Sequence, residues 1–181
     1  MSVYVDLRNS VYNSLHAILP TTQIVQAYGN GPETVSTYVT FDIQNIDQIG
    51  REYISTFADV NGTQQIVSQF MPKIKIEVIG KQDAESNFAA ATLAEELYFK
   101  LNYTSVQELF QKNNLAYQRK SSLRVVPKKR ETDWYMCYQM DVIFGYQVVT
   151  RQDIDIIESV TIEGTYTHND YDSFTTTIQI P

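Results

Sequence analysis

From Trp134 to Val149 the chain alternates for 16 residues. Trp134, Met136, Tyr138, Met140, Val142, Phe144, Tyr146 and Val148 form one set, apolar at every position. Tyr135, Cys137, Gln139, Asp141, Ile143, Gly145, Gln147 and Val149 form the other, which is mixed. A period of two predicts a half-buried strand. At about 3.3 Å per residue it would span roughly 50 Å, against ~17–20 Å for a common strand. A strand that long overshoots the core of a small domain and predicts a sheet extended toward a partner. Gly145 is the expected place for a bulge or a close backbone approach.

The neighbours of this strand can be read in chain order. Tyr4, Leu7, Val11, Leu15 and Ile18 recur at helical spacing, and Pro20 closes that helix. A short strand, Gln23 to Ala27, leads into the turn Tyr28-Gly-Asn-Gly-Pro32. No helix follows that turn, so it reads as a plain connector and not as a phosphate loop. Tyr38 to Ile46 alternates, with Val39, Phe41 and Ile43 inward, and Gly50 punctuates. Glu52 to Phe57 and Gln64 to Phe70 flank Asn61-Gly62, a hairpin signal, and this hairpin is expected to project. A separate strand begins at Pro72, with Ile74, Ile76 and Val78 inward and Lys73, Lys75 and Glu77 outward, and ends at Gly80.

A helix N-capped by Asp83 then buries Ala90, Leu93, Ala94, Leu97 and Leu101, its alanines allowing close approach to the sheet. Thr104 or Ser105 opens a capping box for a short helix, Val106 to Lys112, with Leu109 and Phe110 inward. Asn113-Asn114 stops it. Leu115 to Val126 reads as a basic strand, joined to the long strand by the charged turn Pro127 to Asp133. Ile156 to Tyr166 gives another strand, and Phe174 to Ile180 alternates at the end.

Runs of like elements predict an α+β fold: a mostly antiparallel twisted sheet with helices packed on one face and projecting β-hairpins. Residues 1–181 read as a single domain, with 167–181 a C-terminal arm. Phe174, Ile178 and Ile180 are its expected contact residues, suited to adding a strand to a neighbour's edge.

Charge matters because it is unevenly placed. The net charge is −7, which argues against a protein that grips nucleic acid over its whole surface. Yet six of the 14 basic residues lie between Arg119 and Arg130. From Gln152 to Pro181 there are six acids and no Lys or Arg. Lys128, Lys129 and Arg130 are expected at a hairpin tip, free of the core and facing an acidic neighbour. Asn61 and Gly62 are the corresponding contacts of the other hairpin.

Signals for chemistry are sparse. One cysteine and two histidines do not supply a zinc site of the usual composition, and Cys137 reads as a small packed side chain. There is no G-x-S-x-G, H-E-x-x-H, Walker or dinucleotide motif. Asp153 with Asp155, and Asp170 with Asp172, place carboxylates at strand spacing. Such pairs can hold Ca²⁺ or Mg²⁺, which keeps a small metal-dependent hydrolase as a rival reading, but a solvated strand face accounts for them more simply. His168 beside them reads as a surface residue. No metal site, cofactor or catalytic residue is therefore assigned. No apolar run is long enough for a membrane span, and no signal peptide is evident.

Taken in order, Tyr28-Gly-Asn-Gly-Pro32 with Tyr38-Val-Thr40, the strand–helix unit Ile74 to Leu101, Trp134 to Tyr146, Ile154-Asp-Ile-Ile-Glu-Ser-Val160 and Gly164-Thr resemble the neck or tail terminator (tail-completion) proteins of tailed bacteriophages. The resemblance covers most of the chain. It implies a structural virion protein without cofactor or catalysis, made in the host cytoplasm and forming a hexameric ring at the head–tail junction. Such a ring terminates the tail tube, joins it to the connector, contacts neck and tail-tube or sheath proteins, and passes DNA through its lumen. Another tail-tube or baseplate subunit is the alternative within the virion.

Overall fold

The computed structural model describes residues 2–27, 37–54, 63–81, 84–130, 133–153, 159–168 and 170–179, with backbone alone at 81, 84, 130, 133 and from 153 onward. The chain divides into two compact units, Met1–Glu52 with Val67–Val148, and Tyr53–Ile66 with Val149–Pro181. The elements in order are α1 (Val3–Ile18), β1 (Ile24–Gln26), β2 (Tyr38–Gln48), β3 (Tyr53–Ile54), β4 (Thr63–Lys81), α2 (Ala84–Lys100), α3 (Thr104–Lys112), β5 (Leu115–Lys120), β6 (Arg124–Arg130), β7 (Asp133–Asp153), β8 (Ser159–His168) and β9 (Asp170–Gln179).

Seven strands form one sheet in the order β1-β2-β4-β7-β5, with β3 also on β4 and β6 also on β7. β1 joins β2 in parallel, whereas β2–β4, β5–β7 and β6–β7 are antiparallel. The fold is α+β, as the order of elements predicts. The strand from Trp134 is longer than its alternation indicated, 21 residues. Its length has a use. β6 pairs with its first part, from Asp133 to Gln139, and β5 with its later part, from Val142 to Tyr146.

One face of the sheet is closed by all three helices. Val39, Phe41, Ile43, Ile74, Ile76, Val78, Met140, Val142, Phe144 and Tyr146 meet Leu7, Val11 and Leu15 of α1, Ala90, Ala94 and Leu97 of α2, and Val106 and Phe110 of α3 in one core. Each large apolar side chain removed from water here contributes about 1.5–3 kcal/mol. Ser14 is buried within the apolar face of α1 and satisfies its hydroxyl on the Ser10 carbonyl, 2.8 Å away. Gly80 sets the approach of α2: a Cβ there would lie 2.6 Å from the Ser86 carbonyl oxygen and 2.7 Å from the Ala90 Cβ. Gly80 and Ala90 thus let helix and strand touch.

Several expectations need correction. Gln64 to Phe70 and Ile74 to Val78 are not separate strands but parts of β4, and Pro72 lies inside it, opposite Ile46. A register shift between Ile43 and Asn45 loosens the ladder beside it, which accommodates a residue without an N–H. Leu115 to Val126 is not one strand; it breaks at 121–123, where the Ser121 N–H donates to the Asp141 carbonyl. Pro127 is inside β6, opposite Met136, and not in a turn.

The capping box does not form. α3 starts at Thr104 with Tyr103 as N-cap and no side-chain capping bond, because the Tyr103 carbonyl already accepts the Val106 and Gln107 N–H groups. Gly145 stays in the ladder opposite Ala116; the register shift falls across from it, between Tyr117 and Arg119. Tyr28 to Pro32, Asp83, Asn61 and Gly62 lie outside the described residues.

In the second unit β8 and β9 pair antiparallel along their length, from Ser159 opposite Gln179 to His168 opposite Asp170. Phe174 stands opposite Gly164 and Ile178 opposite Val160. The alternation at the chain's end is thus matched by a strand of the same chain.

Candidate interaction surface

The second face of the large sheet has a different composition. Cross-strand partners share a face, so register groups Tyr38, Thr40 and Asp42 of β2 with Lys73, Lys75, Glu77 and Ile79 of β4, and Tyr135, Cys137 and Asp141 of β7 with Arg124 and Lys128 of β6; the contacts of Lys128 with Glu77 and of Lys73 with Asp141 put both groups on one side. No described helix contributes to its buried cluster, which is Tyr38, Ile79, Tyr135 and Cys137.

Two carboxylates organise the charges on this face. Glu77 is 4% exposed. Its Oε1 and Oε2 accept from Lys128 Nζ at 2.7 and 2.8 Å, and Lys75 Nζ lies 3.6 Å from Oε1. Asp141 repeats the arrangement: Oδ2 is 3.0 Å from Arg124 Nη2 and 3.2 Å from Lys73 Nζ. The Asp141 N–H donates to Ser121 Oγ at 3.0 Å, while its buried Oδ1 has no partner among the described residues. Among the described residues each of these carboxylates is paired with two cations. A buried carboxylate costs several kcal/mol of desolvation unless it is paired, so each acid and its cations hold one another in place. The side chains of Lys73, Arg124 and Lys128 remain 38, 50 and 42% exposed.

Beside Glu77 the surface is concave, a hollow of about 340 Å³ bordered by Lys75, Lys128, Tyr38, Tyr135 and Cys137. Burial pushes the Cys137 thiol up; Lys128 and Lys75 pull it part of the way back, and Glu77 adds to the rise. A thiol kept protonated packs and does not attack.

The basic residues between Arg119 and Arg130 divide between the two faces. Lys120 lies on the helix side, where its Nζ donates to the Tyr98 carbonyl and sits 3.9 Å from the Tyr98 ring centroid. Burial lowers its pKa. Lys129 is opposite Trp134 on that same side and is exposed. Arg130 takes the register position opposite Asp133. Lys128 differs most from expectation: it is inside β6, and its ammonium is committed to a buried acid of its own chain. The hidden partners, Glu77 and Asp141, carry no local signal, because each sits at an ordinary outward position of an alternating strand.

The apolar set of the long strand also divides. Met140, Val142, Phe144 and Tyr146 are buried, but Trp134 is 48% exposed, as is Val125 at 54% on the same side of β6. Here the ribbon carries apolar surface to solvent. Among the described residues no group of three or more His, Cys, Asp or Glu is placed to hold a metal. The side chains of Asp153, Asp155, Asp170 and Asp172, and the whole of Ile180, lie outside the description. No described helix is long and apolar enough to cross a membrane.

A family model described as "Phage neck terminator protein" matches residues 7–170, which include every strand of the seven-stranded sheet. No curated protein matches the chain significantly.

Proposed function

The chain belongs to the phage neck terminator family, and from that premise we propose that it assembles as a hexameric ring that closes the tail tube and joins it to the connector. Its class is that of a structural neck protein, and its place is the head–tail junction of the virion. In the ring, the whole chain acts as one subunit and DNA passes through the lumen. A net charge of −7 suits a channel that phosphate slides through without sticking.

The observation that carries this reading is the family match over residues 7–170. The sheet supports it: one face is spent on the subunit's own core, and the other presents ordered charge. Lys129, Arg130, the Asn61-Gly62 segment and the strand bearing Phe174, Ile178 and the following Ile180 are the contacts proposed toward neighbours.

Electron cryo-microscopy of the neck of intact particles tests the reading. Six copies related by rotation about the tail axis are expected. A single copy lying off a symmetric ring overturns it.

A further inference from the structure

We propose that the acidic C-terminal segment of one copy binds, on the next copy, the basic sheet face turned away from α1, α2 and α3, so that the ring closes through a repeated head-to-tail contact. The inference rests on the ring reading and names the surfaces that would make it.

Charge is the first observation. The chain separates its signs: six acids and no Lys or Arg from Gln152 to Pro181, and, among the described residues, Lys73, Arg119 and Arg124 gathered around the single acid Asp141. Lys73 and Arg124 are held by the mostly buried Asp141 carboxylate, so little of their side-chain entropy is left to lose on docking. Arg119, placed opposite Ile143 on the same face, is exposed and extends the basic area.

The second observation is the form of the acidic segment. In the β8–β9 ladder Val160 stands opposite Ile178, Ile162 opposite Thr176 and Gly164 opposite Phe174. The same face continues through Tyr166 opposite Asp172 to His168 opposite Asp170 at the turn end. The alternate face carries Ser159, Thr161, Glu163, Thr165 and Thr167. This ribbon therefore has an apolar stripe that runs into a pair of acids. A two-stranded ribbon is marginal alone in water and gains from a surface to lie on. Opposite charge then sets which end goes where.

Closure follows from having one of each surface per copy. A contact between two different patches is heterologous, and heterologous contacts generate rings when the rotation closes.

Charge exchange in complementation tests the contact. Full-length chain carrying R119E/R124E, D170K/D172K, or all four changes is supplied to a phage lacking its own copy, and completed particles are counted. Each pair is expected to lower the count at least tenfold, and the four together to restore it; purified D170K/D172K melts with the wild type, whereas R119E/R124E and the four-residue variant melt equally below it, because Arg124→Glu removes a partner of Asp141. Failure of the four-residue exchange to restore particles, with wild-type necks still imaging as rings, overturns the contact and leaves the ring reading standing. Wild-type necks without rotational copies overturn the ring reading itself, and this contact with it. If each pair lowers the melting temperature of the isolated chain and the four restore it, the contact lies within one chain and the proposal is wrong. Retention of duplex DNA by wild type but not by R119E/R124E assigns the basic face to nucleic acid and also overturns it.

Discussion

The two faces of the large sheet are built from the same strands by opposite means. On the helix side, Phe41, Ile76 and Phe144 are buried in one apolar core sealed by α1, α2 and α3. On the other side, Thr40, Glu77 and Asp141 occupy the intervening positions, and burial there is achieved by pairing charge. Apolar burial is non-directional and yields stability. A paired buried acid contributes little net stability but fixes where its cations stand. A subunit that must both fold and present a patterned surface can use one sheet for both tasks, one per face.

Truncation on the sealed side should have the largest effect. Phe144 is fully buried, with its ring centroid 4.8 Å from that of Phe110 and 6.3 Å from that of Tyr117. Phe144→Ala is expected to cost about 3–5 kcal/mol in denaturant unfolding, with the slope unchanged. A loss as small as that of an exposed residue would mean that this face is not the one holding the fold together.

The charged face should respond less, and in a way the apolar face cannot imitate. Among the described residues, Lys128→Met leaves Glu77 with the Lys75 ammonium, 3.6 Å away. Since Lys128 is 42% exposed, water can partly replace it, so the expected loss is about 1.5–3 kcal/mol. Adding Glu77→Met should recover most of that loss, because a buried ion pair replaced whole is often neutral. Thermal or denaturant unfolding of the two single variants and the double variant checks this as a cycle. Additive losses would show that the pair contributes to folding like the core does.

This contrast also explains what could be read in advance. Ala90, Ala94, Leu97 and Leu101 were legible as a buried helix face because the partners of an apolar stripe are generic: any apolar sheet will cover it. The pairing of β6 with β7 was legible from a short polar connection. Glu77 was not, since Lys73, Lys75 and Glu77 read as one solvated row. The burial of Glu77 depends on β6 lying across β7 from β4, a long-range fact with no local sign. The break at 121–123 was hidden for the same reason: it is set by the length of β7, which two shorter strands share. Pro72 misled because a proline in an interior strand is rare, and the nearby register shift that admits it has no signature in composition.

The smallest expected effect lies where the two principles meet, at Cys137, which is fully buried on the charged face between Tyr135 and the Glu77 cluster. Burial raises its pKa, so the folded thiol stays protonated at a pH where the unfolded thiol, at about 8.5, has begun to ionise. Above that pH the unfolded chain binds fewer protons than the folded one, and stability falls as pH rises until the folded pKa is passed. The slope from this one group is at most about 1.4 kcal/mol per pH unit. Tyr117 and Tyr146, also raised by burial, add loss nearer pH 10, and Lys120, lowered by burial, works in the opposite direction. Cys137→Ala keeps all three, so the difference between its unfolding free energy and that of the wild type isolates the thiol. The wild type should lose ground to Cys137→Ala between about pH 8 and 10, whatever their order at pH 7. Parallel curves would mean that the thiol ionises alike in both states, and that the charged face is wetter at Cys137 than its burial implies.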